Sequence, residues 1–413
     1  MRFLLAGRRR GVEKSCVKPV VAVLAYRRAP AFRRLLHALE AAHYPDGVRL
    51  IISLEGEASA EVVDMAKRFS PSNLDVTVIQ RERRLGLRNH VIACGDLALV
   101  YGAVIVLEDD LFVDPYFYKY ASGALEFYAD EDVIGGIALY CPELNEYANL
   151  PFVPMQNGYS TYLMQLTCSW GQCWSKKQWL LFKKWYERKD QDYLSNIYGL
   201  PASAKAWPES SWKKYFHGFL LETGRFVVYP YESLSTNCSD EGGEHIKGGT
   251  SLHQVCLGSP HRSFSLPEFV PISNTDVLYD AYMEPVGDFV WRSLGLGANE
   301  VEVDLQGLKP TELLLKKKMT VTAKKSSNPI QGFRQSFRPP EMNLNFPLLN
   351  RNGAPWVLTR SVDVENRRAF KPSLAWFNYY AGMSLMTSVV LKAVIGWVPG
   401  ALFKKVSRTL RSS

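Results

Sequence analysis

Val104-Ile105-Val106-Leu107-Glu108-Asp109-Asp110-Leu111 sets four apolar residues, suited to a strand covered on both faces, directly against three consecutive carboxylates. Ionised side by side, each close pair of carboxylates repels by on the order of 1 kcal/mol in water, and by more once desolvated. The cluster therefore calls for a positive partner. A divalent cation such as Mn²⁺ or Mg²⁺ meets that need, taking one or two carboxylates and filling its shell with water or phosphate oxygens. Acids are also favoured at a helix N-terminus. Asp114-Pro115, ahead of Tyr116, Tyr120, Leu125 and Phe127, suits that role as an N-cap, whereas Glu108 to Asp110 lie four residues earlier and flush with the strand.

Upstream, the same strand texture alternates with helical period. Val20 to Leu24 is a continuous apolar run, followed by Phe32, Leu35, Leu36, Leu39 and Ala42 at helical spacing. Val48 to Leu54 reads as a strand, Val62, Val63, Met65 and Ala66 as a helix, Leu74 to Ile79 as a strand and Leu87 to Val100 as a helix. Alternating βα units predict a parallel-dominated sheet with helices on both faces, and ligands of such sheets sit at the carboxyl ends of the strands. The three acids lie at such an end.

The whole chain supports that scale of fold. Its 413 residues are enough for two to three domains, and 47% hydrophobic with 22% charged residues excludes a disordered chain. The net charge of +8 points to anionic partners. Lys and Arg are dispersed without a recognised nucleic-acid-binding motif, which argues against nucleic acid. Seven scattered cysteines without a C-x-x-C pair argue against a disulfide framework or a structural zinc site. Arg8, Arg9 and Arg10 follow an apolar run too short for a secretory signal, so the expected location is cytoplasmic.

Four segments are expected: residues 1–17 as an N-terminal segment, 18–256 as the main α/β domain, 257–371 as a smaller accessory region, and 372–413 as an apolar and basic tail. The tail combines a charge-free run from Pro372 to Leu391 with Trp397, Phe403, Lys404, Lys405, Arg408 and Arg411, suited to an anionic membrane surface and a peripheral location on the inner face of the cell membrane.

Val106-Leu107-Glu108-Asp109-Asp110-Leu111 followed by Asp114-Pro115-Tyr116-Phe117 resembles the acidic metal-binding motif of GT-A-fold, nucleotide-sugar-dependent glycosyltransferases. The version is that of the N-acetylglucosaminyltransferase I-like group and of bacterial family 2-like polysaccharide glycosyltransferases. Val20 to Arg27 resembles the first strand and its basic end, and Ile51 to Gly56 the second strand with an acid, Glu55, that reads a uracil ring. Leu85-Gly86-Leu87-Arg88 resembles the loop before the third helix, and Ser169 to Trp174 the Trp-Gly segment. The resemblance covers about residues 18 to 250. It implies a GT-A-type sheet with a smaller C-terminal region and a metal-dependent inverting transfer from a nucleoside diphosphate sugar, a UDP-sugar foremost. The implied acceptor is a glycan or lipid-linked molecule in surface polysaccharide or lipopolysaccharide assembly.

The resemblance makes Asp110 the metal ligand, with Asp109 nearer the ribose or donor sugar and Glu108 toward the sheet end. Arg27, Arg84 and Arg88 stand at strand or helix ends, where a guanidinium reaches a diphosphate by bidentate contact. Trp170 and Trp174 are candidates for stacking on the acceptor, and His245 for a donor-phosphate contact or metal neighbour. Inversion needs a carboxylate to take the acceptor proton. The family places an Asp shortly after a Trp, but Trp207-Pro208-Glu209-Ser210-Ser211-Trp212-Lys213 carries Lys there. Glu209, Asp240, Glu241 and Glu244 remain as candidates. A sugar-nucleotide nucleotidyltransferase is the alternative enzyme, though Ala25 to Pro30 lacks the Gly-rich phosphate loop it needs; a non-catalytic basic binding module is the other alternative.

Overall fold

The computed structural model describes residues 18–187, 191–241, 251–297, 299–348 and 354–368. These divide into two compact units, the described residues within 1–141 and 156–283 forming one and those within 142–155 and 284–413 the other.

The first unit opens with β1 (Val20–Ala25), all six residues buried. Next comes α1 (Ala29–Glu40), which buries Phe32, Leu35, Leu36 and Leu39 along one stripe. β2 (Arg49–Leu54) is followed by α2 (Ala60–Arg68), whose N-cap Ser59 side chain accepts from the Val62 N–H, and by the half-exposed edge strand β3 (Asp75–Gln80). The helix expected over 87–100 is two, α3 (Leu87–Gly95) and α4 (Leu97–Tyr101). The Trp179 ring lies so close to Gly95 that a Cβ there would meet it at 2.1 Å, and the Trp179 indole donates to Asp96 at 2.8 Å in the break between the helices.

β4 (Ala103–Glu108) ends in the first of the three acids, and β5 (Leu111–Val113), α5 (Phe117–Phe127) and β6 (Ile134–Ala138) follow. Asp114 does not cap α5 directly. Its carboxylate accepts from the Tyr116 N–H at 2.8 Å and pairs with Arg262 at 2.8 Å, because a turn separates it from the first helical residue.

The main sheet has nine strands in the order 278–279, 161–164, 226–230, β6, 172–175, β4, β1, β2, β3. β4, β1, β2 and β3 pair in parallel, so their carboxyl ends share one edge. The strand Gln172–Ser175 inserts antiparallel between β4 and β6, placing Trp174 opposite Val104 in the middle of the sheet. The main core lies between this sheet and α1, α2 and α5.

The second unit has a five-stranded sheet in the order 301–304, 319–322, 356–360, 329–333, 347–348. Val303, Val321, Phe333, Leu344 and Trp356 fill its core, and the Trp356 indole donates to the Leu305 carbonyl at 2.9 Å. Residues 257–283, expected with the C-terminal region, belong to the first unit. Tyr128 Oη bonds the Val270 carbonyl at 2.7 Å, and Leu278–Tyr279 forms an edge strand of the main sheet.

Candidate functional site

At the carboxyl edge, the end of β4 brings Glu108 and Asp109 into a cleft of about 230 Å³ lined by Tyr26, Arg27, Arg28, Glu55, Arg84 and His90 among others, with Asp110 next in the chain. The acids are held by α1, which starts immediately after β1. The Arg28 guanidinium bonds Asp109 and reaches Asp110 Oδ2 at 3.1 Å. Desolvation foremost, then the neighbouring Asp110, pushes Glu108 up to about 8; Asp109 rises to about 6, again chiefly by burial, with Arg28 opposing. Burial disfavours the charged form of Arg28, yet the two carboxylates outweigh it and hold the guanidinium above its ordinary pKa.

Asp110 is fixed from both sides. The strand Ser235–Asn237 pairs antiparallel with β5, and the Cys238 N–H continues the ladder to the Asp110 carbonyl at 3.0 Å. This brings Asp240 alongside, where Arg34 of α1 binds its carboxylate and approaches the Asp110 carbonyl at 3.5 Å. The hydrogen bond from Arg34 holds Asp240 below the usual carboxylate range.

Three aspartates (Asp109, Asp110, Asp240) thus meet two guanidiniums (Arg28, Arg34), an excess of one negative charge when they are ionised, and burial keeps the neighbouring Glu108 from adding its full charge at pH 7. Asp110 Oδ1 is buried with no hydrogen-bond partner among the described residues. An orphaned hard oxygen beside an excess of carboxylate fits a divalent cation. The described residues form no cluster of three or more metal-ligating side chains, so Asp110 would hold the ion with water and substrate oxygens completing its shell.

Glu55 departs from the expected role. Its carboxylate accepts backbone N–H groups from Gly56 at 2.9 Å, Leu85 at 2.8 Å and Gly86 at 2.9 Å, and is 4% exposed. It clamps the loop before α3 instead of offering an acceptor to a nucleobase. Gly56 permits the closeness, since a Cβ there would meet the Arg83 carbonyl carbon at 2.1 Å. Beneath the clamp runs a buried chain. Arg81 donates to Ser53 Oγ at 3.3 Å, Ser53 contacts His90 Nε2 at 2.8 Å, and His90 Nδ1 lies 3.7 Å from Glu55. Burial foremost lowers His90 to about 4, so it is neutral at pH 7.

Arg27 and Arg84 flank the Tyr26 ring at 4.5 and 5.4 Å, and Tyr26 Oη is buried without a partner among the described residues. Arg27 is exposed and 3.6 Å from Glu57. Arg88 is held apart from these two, donating to the Glu209 carbonyl at 3.0 Å, to its carboxylate at 3.4 Å and to Tyr215 Oη. Trp170 is half-buried against Tyr140 and His253, with Lys213 Nζ 5.7 Å from its ring. Trp174 is no acceptor platform. It is wholly buried, packed on Trp179, Trp212 and Phe216, because its strand is central in the sheet. Glu241 is exposed, while Glu244, His245, residues 1–17 and the tail from 372 lie outside the described residues.

Arg28, Arg34, Tyr26 and His90 are not singled out by sequence. For Arg28 a signal exists, since a cation at the N-cap of α1 opposes the helix dipole and calls for a nearby acid. Arg34 and His90 carry no such signal.

The model of the family described as glycosyl transferase family 2 matches residues 20–188. No curated protein sequence matches at a significant level. Among solved structures, S. aureus TarS 1-349 in complex with UDP-GlcNAc is similar at 14% identity and TM-score 0.37, over 55% of this chain and 60% of that one. Mannosyltransferase PcManGT from Pyrobaculum calidifontis, in complex with GDP-Man and Mn²⁺, is similar at 12% identity and TM-score 0.29, over 40% and 46%. This chain therefore spans less than two thirds of either, and likeness at these scores carries no argument about activity. The residues similar to the glycosyl transferase family 2 model, 20–188, include β1 to β4 with their parallel pairing and the acidic end of β4.

Proposed function

We propose that the protein is a metal-dependent, inverting glycosyltransferase moving a sugar from a nucleoside diphosphate donor, a UDP-sugar foremost, to a glycan or lipid-linked acceptor. The observation that carries this reading is the end of β4, where Asp110, next to the cleft-lining Asp109, keeps a carboxylate oxygen without a hydrogen-bond partner among the described residues, in the stretch that matches the family 2 model. A place in surface polysaccharide or lipopolysaccharide assembly, and the N-acetylglucosaminyltransferase I-like grouping, rest on the sequence resemblance.

A divalent cation bound at Asp110 supplies Lewis-acid stabilisation of the charge that develops on a departing diphosphate. The chain's own residues do the rest. Arg27 and Arg84, beside Tyr26, offer the donor cations and an aromatic face, while Glu55 and the loop it clamps hold that wall in place. Arg34 pins Asp240 and with it the segment after Cys238 against Asp110.

A depressed pKa makes Asp240 a weak proton acceptor. Glu209 is solvent-accessible, and its carboxylate meets Arg88 at 3.4 Å, a looser pair than Arg34 makes with Asp240, so it is the better choice for taking the acceptor proton. Incubation with a panel of nucleotide sugars, following release of nucleoside diphosphate with and without chelator, tests the reading. Metal-dependent release from one donor is expected, and no release from any overturns it. Glu209→Gln should lower kcat at least ~100-fold with donor KM unchanged, while Asp240→Asn should mainly raise donor KM. The reverse pattern assigns the proton to Asp240.

A further inference from the structure

We propose that Arg28 is the built-in counter-ion of the acidic strand end, and that its displacement couples divalent-cation binding to nucleoside diphosphate binding. The second half rests on the glycosyl-transfer reading; the first does not.

Arg28 bridges Asp109 and Asp110, taking Oδ2 of the very carboxylate whose Oδ1 has no hydrogen-bond partner among the described residues. Its side chain is 22% exposed, and it caps α1, where the positive end of the helix dipole disfavours a cation. Among the described residues, the two aspartates are its ion-pair partners. A guanidinium stays protonated in proteins, so Arg28 has no neutral form to retreat to. A dication on Asp110 therefore meets a like charge within one carboxylate's width, and the contact with Oδ2 weakens as it binds.

Once loosened, Arg28 is a partly buried cation in need of an anion. It lines the cleft proposed to take the donor, and a diphosphate supplies the missing negative charge. Dication and diphosphate are thus each bound better in the presence of the other, and linkage makes the effect reciprocal. Without Arg28 the aspartates are unbalanced and the dication binds unaided.

The test is a titration of the full-length protein with Mn²⁺, reading free ion by electron paramagnetic resonance, with and without saturating UDP or GDP. For the wild type, weak binding of Mn²⁺ alone and at least ~10-fold tightening by nucleotide are expected. Arg28→Gln should bind Mn²⁺ alone ~10-fold more tightly than the wild type and lose most of the nucleotide effect. If Arg28→Gln does not fold, judged by its melting curve, Arg28→Lys replaces it. Lys grips with one point charge in place of a fork, and a smaller shift of the same sign is expected. Equal or weaker Mn²⁺ affinity in the variant, an undiminished nucleotide effect, or no Mn²⁺ binding by either protein overturns the proposal. Tighter Mn²⁺ binding by the variant with no nucleotide bound to either protein upholds the counter-ion and overturns the donor reading.

Discussion

Asp110 shows how much can hang on one side chain. One oxygen is tied to Arg28 and the other has no hydrogen-bond partner among the described residues, while its backbone carbonyl is bonded by Cys238. Asp110→Ala removes the ligand and leaves the backbone bond intact. Turnover should fall by ~100-fold or more, the scale of losing one preorganised electrostatic group, with the melting temperature nearly unchanged. Wild-type turnover in this variant, or full activity after exhaustive chelation, overturns the metal role. The three acids are legible in the sequence because carboxylates crowded at a buried strand end repel one another unless a cation joins them. The cation that answers them is only half legible. Arg27 and Arg28 are equivalent as sequence, and the turn into α1 decides that Arg28 faces the acids while Arg27 faces solvent. Trp174 is illegible for a related reason, since aromatic character does not reveal whether a strand is central or at an edge.

Among the elements, β1, β2 and β4 are readable as continuous apolar runs because strands covered on both faces leave no room for polar alternation. The antiparallel insertion of Gln172–Ser175 is not, since its pairing is set by partners dozens of residues away. The β2–α3 junction likewise depends on contacts across thirty residues, and it has a measurable signature. His90 on α3 is lowered to about 4, chiefly by burial against Ser53 and Glu55. An unfolded His binds its proton near pH 6.5. Between these values the unfolded chain holds the extra proton, so this contribution to stability is complete above pH 6.5 and is lost as pH falls toward 4. It amounts to on the order of 2–3 kcal/mol. In urea unfolding from pH 7.5 to 4.5, His90→Gln should flatten the decline by up to about one proton's worth relative to the wild type. Parallel curves would show that His90 does not carry it.

At the scale of the whole molecule, the sequence locates the main domain but not its seams. The 142–155 excursion into the second unit, with Leu150 in that unit's core, and the return of 257–283 to the main sheet are long-range choices without a local signal. Among the described residues no helix is long and apolar enough to cross a membrane. The tail therefore has to be argued from its composition. Its twenty charge-free residues from Pro372 to Leu391 meet the length of a spanning helix, yet Asn378, Tyr379, Tyr380 and Gly382 weaken insertion. The following stretch adds Val394, Ile395, Trp397, Leu402 and Phe403 before Lys404, Lys405, Arg408 and Arg411, a pattern suited to lying in the headgroup plane. Each cation near an anionic leaflet adds roughly 1 kcal/mol. Deleting residues 372–413 should give a folded protein that still releases nucleoside diphosphate from its donor but no longer sediments with phosphatidylserine-containing liposomes. Salt should weaken binding of the parent, because exposed charges are screened beyond about 10 Å at 0.1 M. A truncated protein that aggregates, from a parent that never bound lipid, would show instead that the tail completes a core.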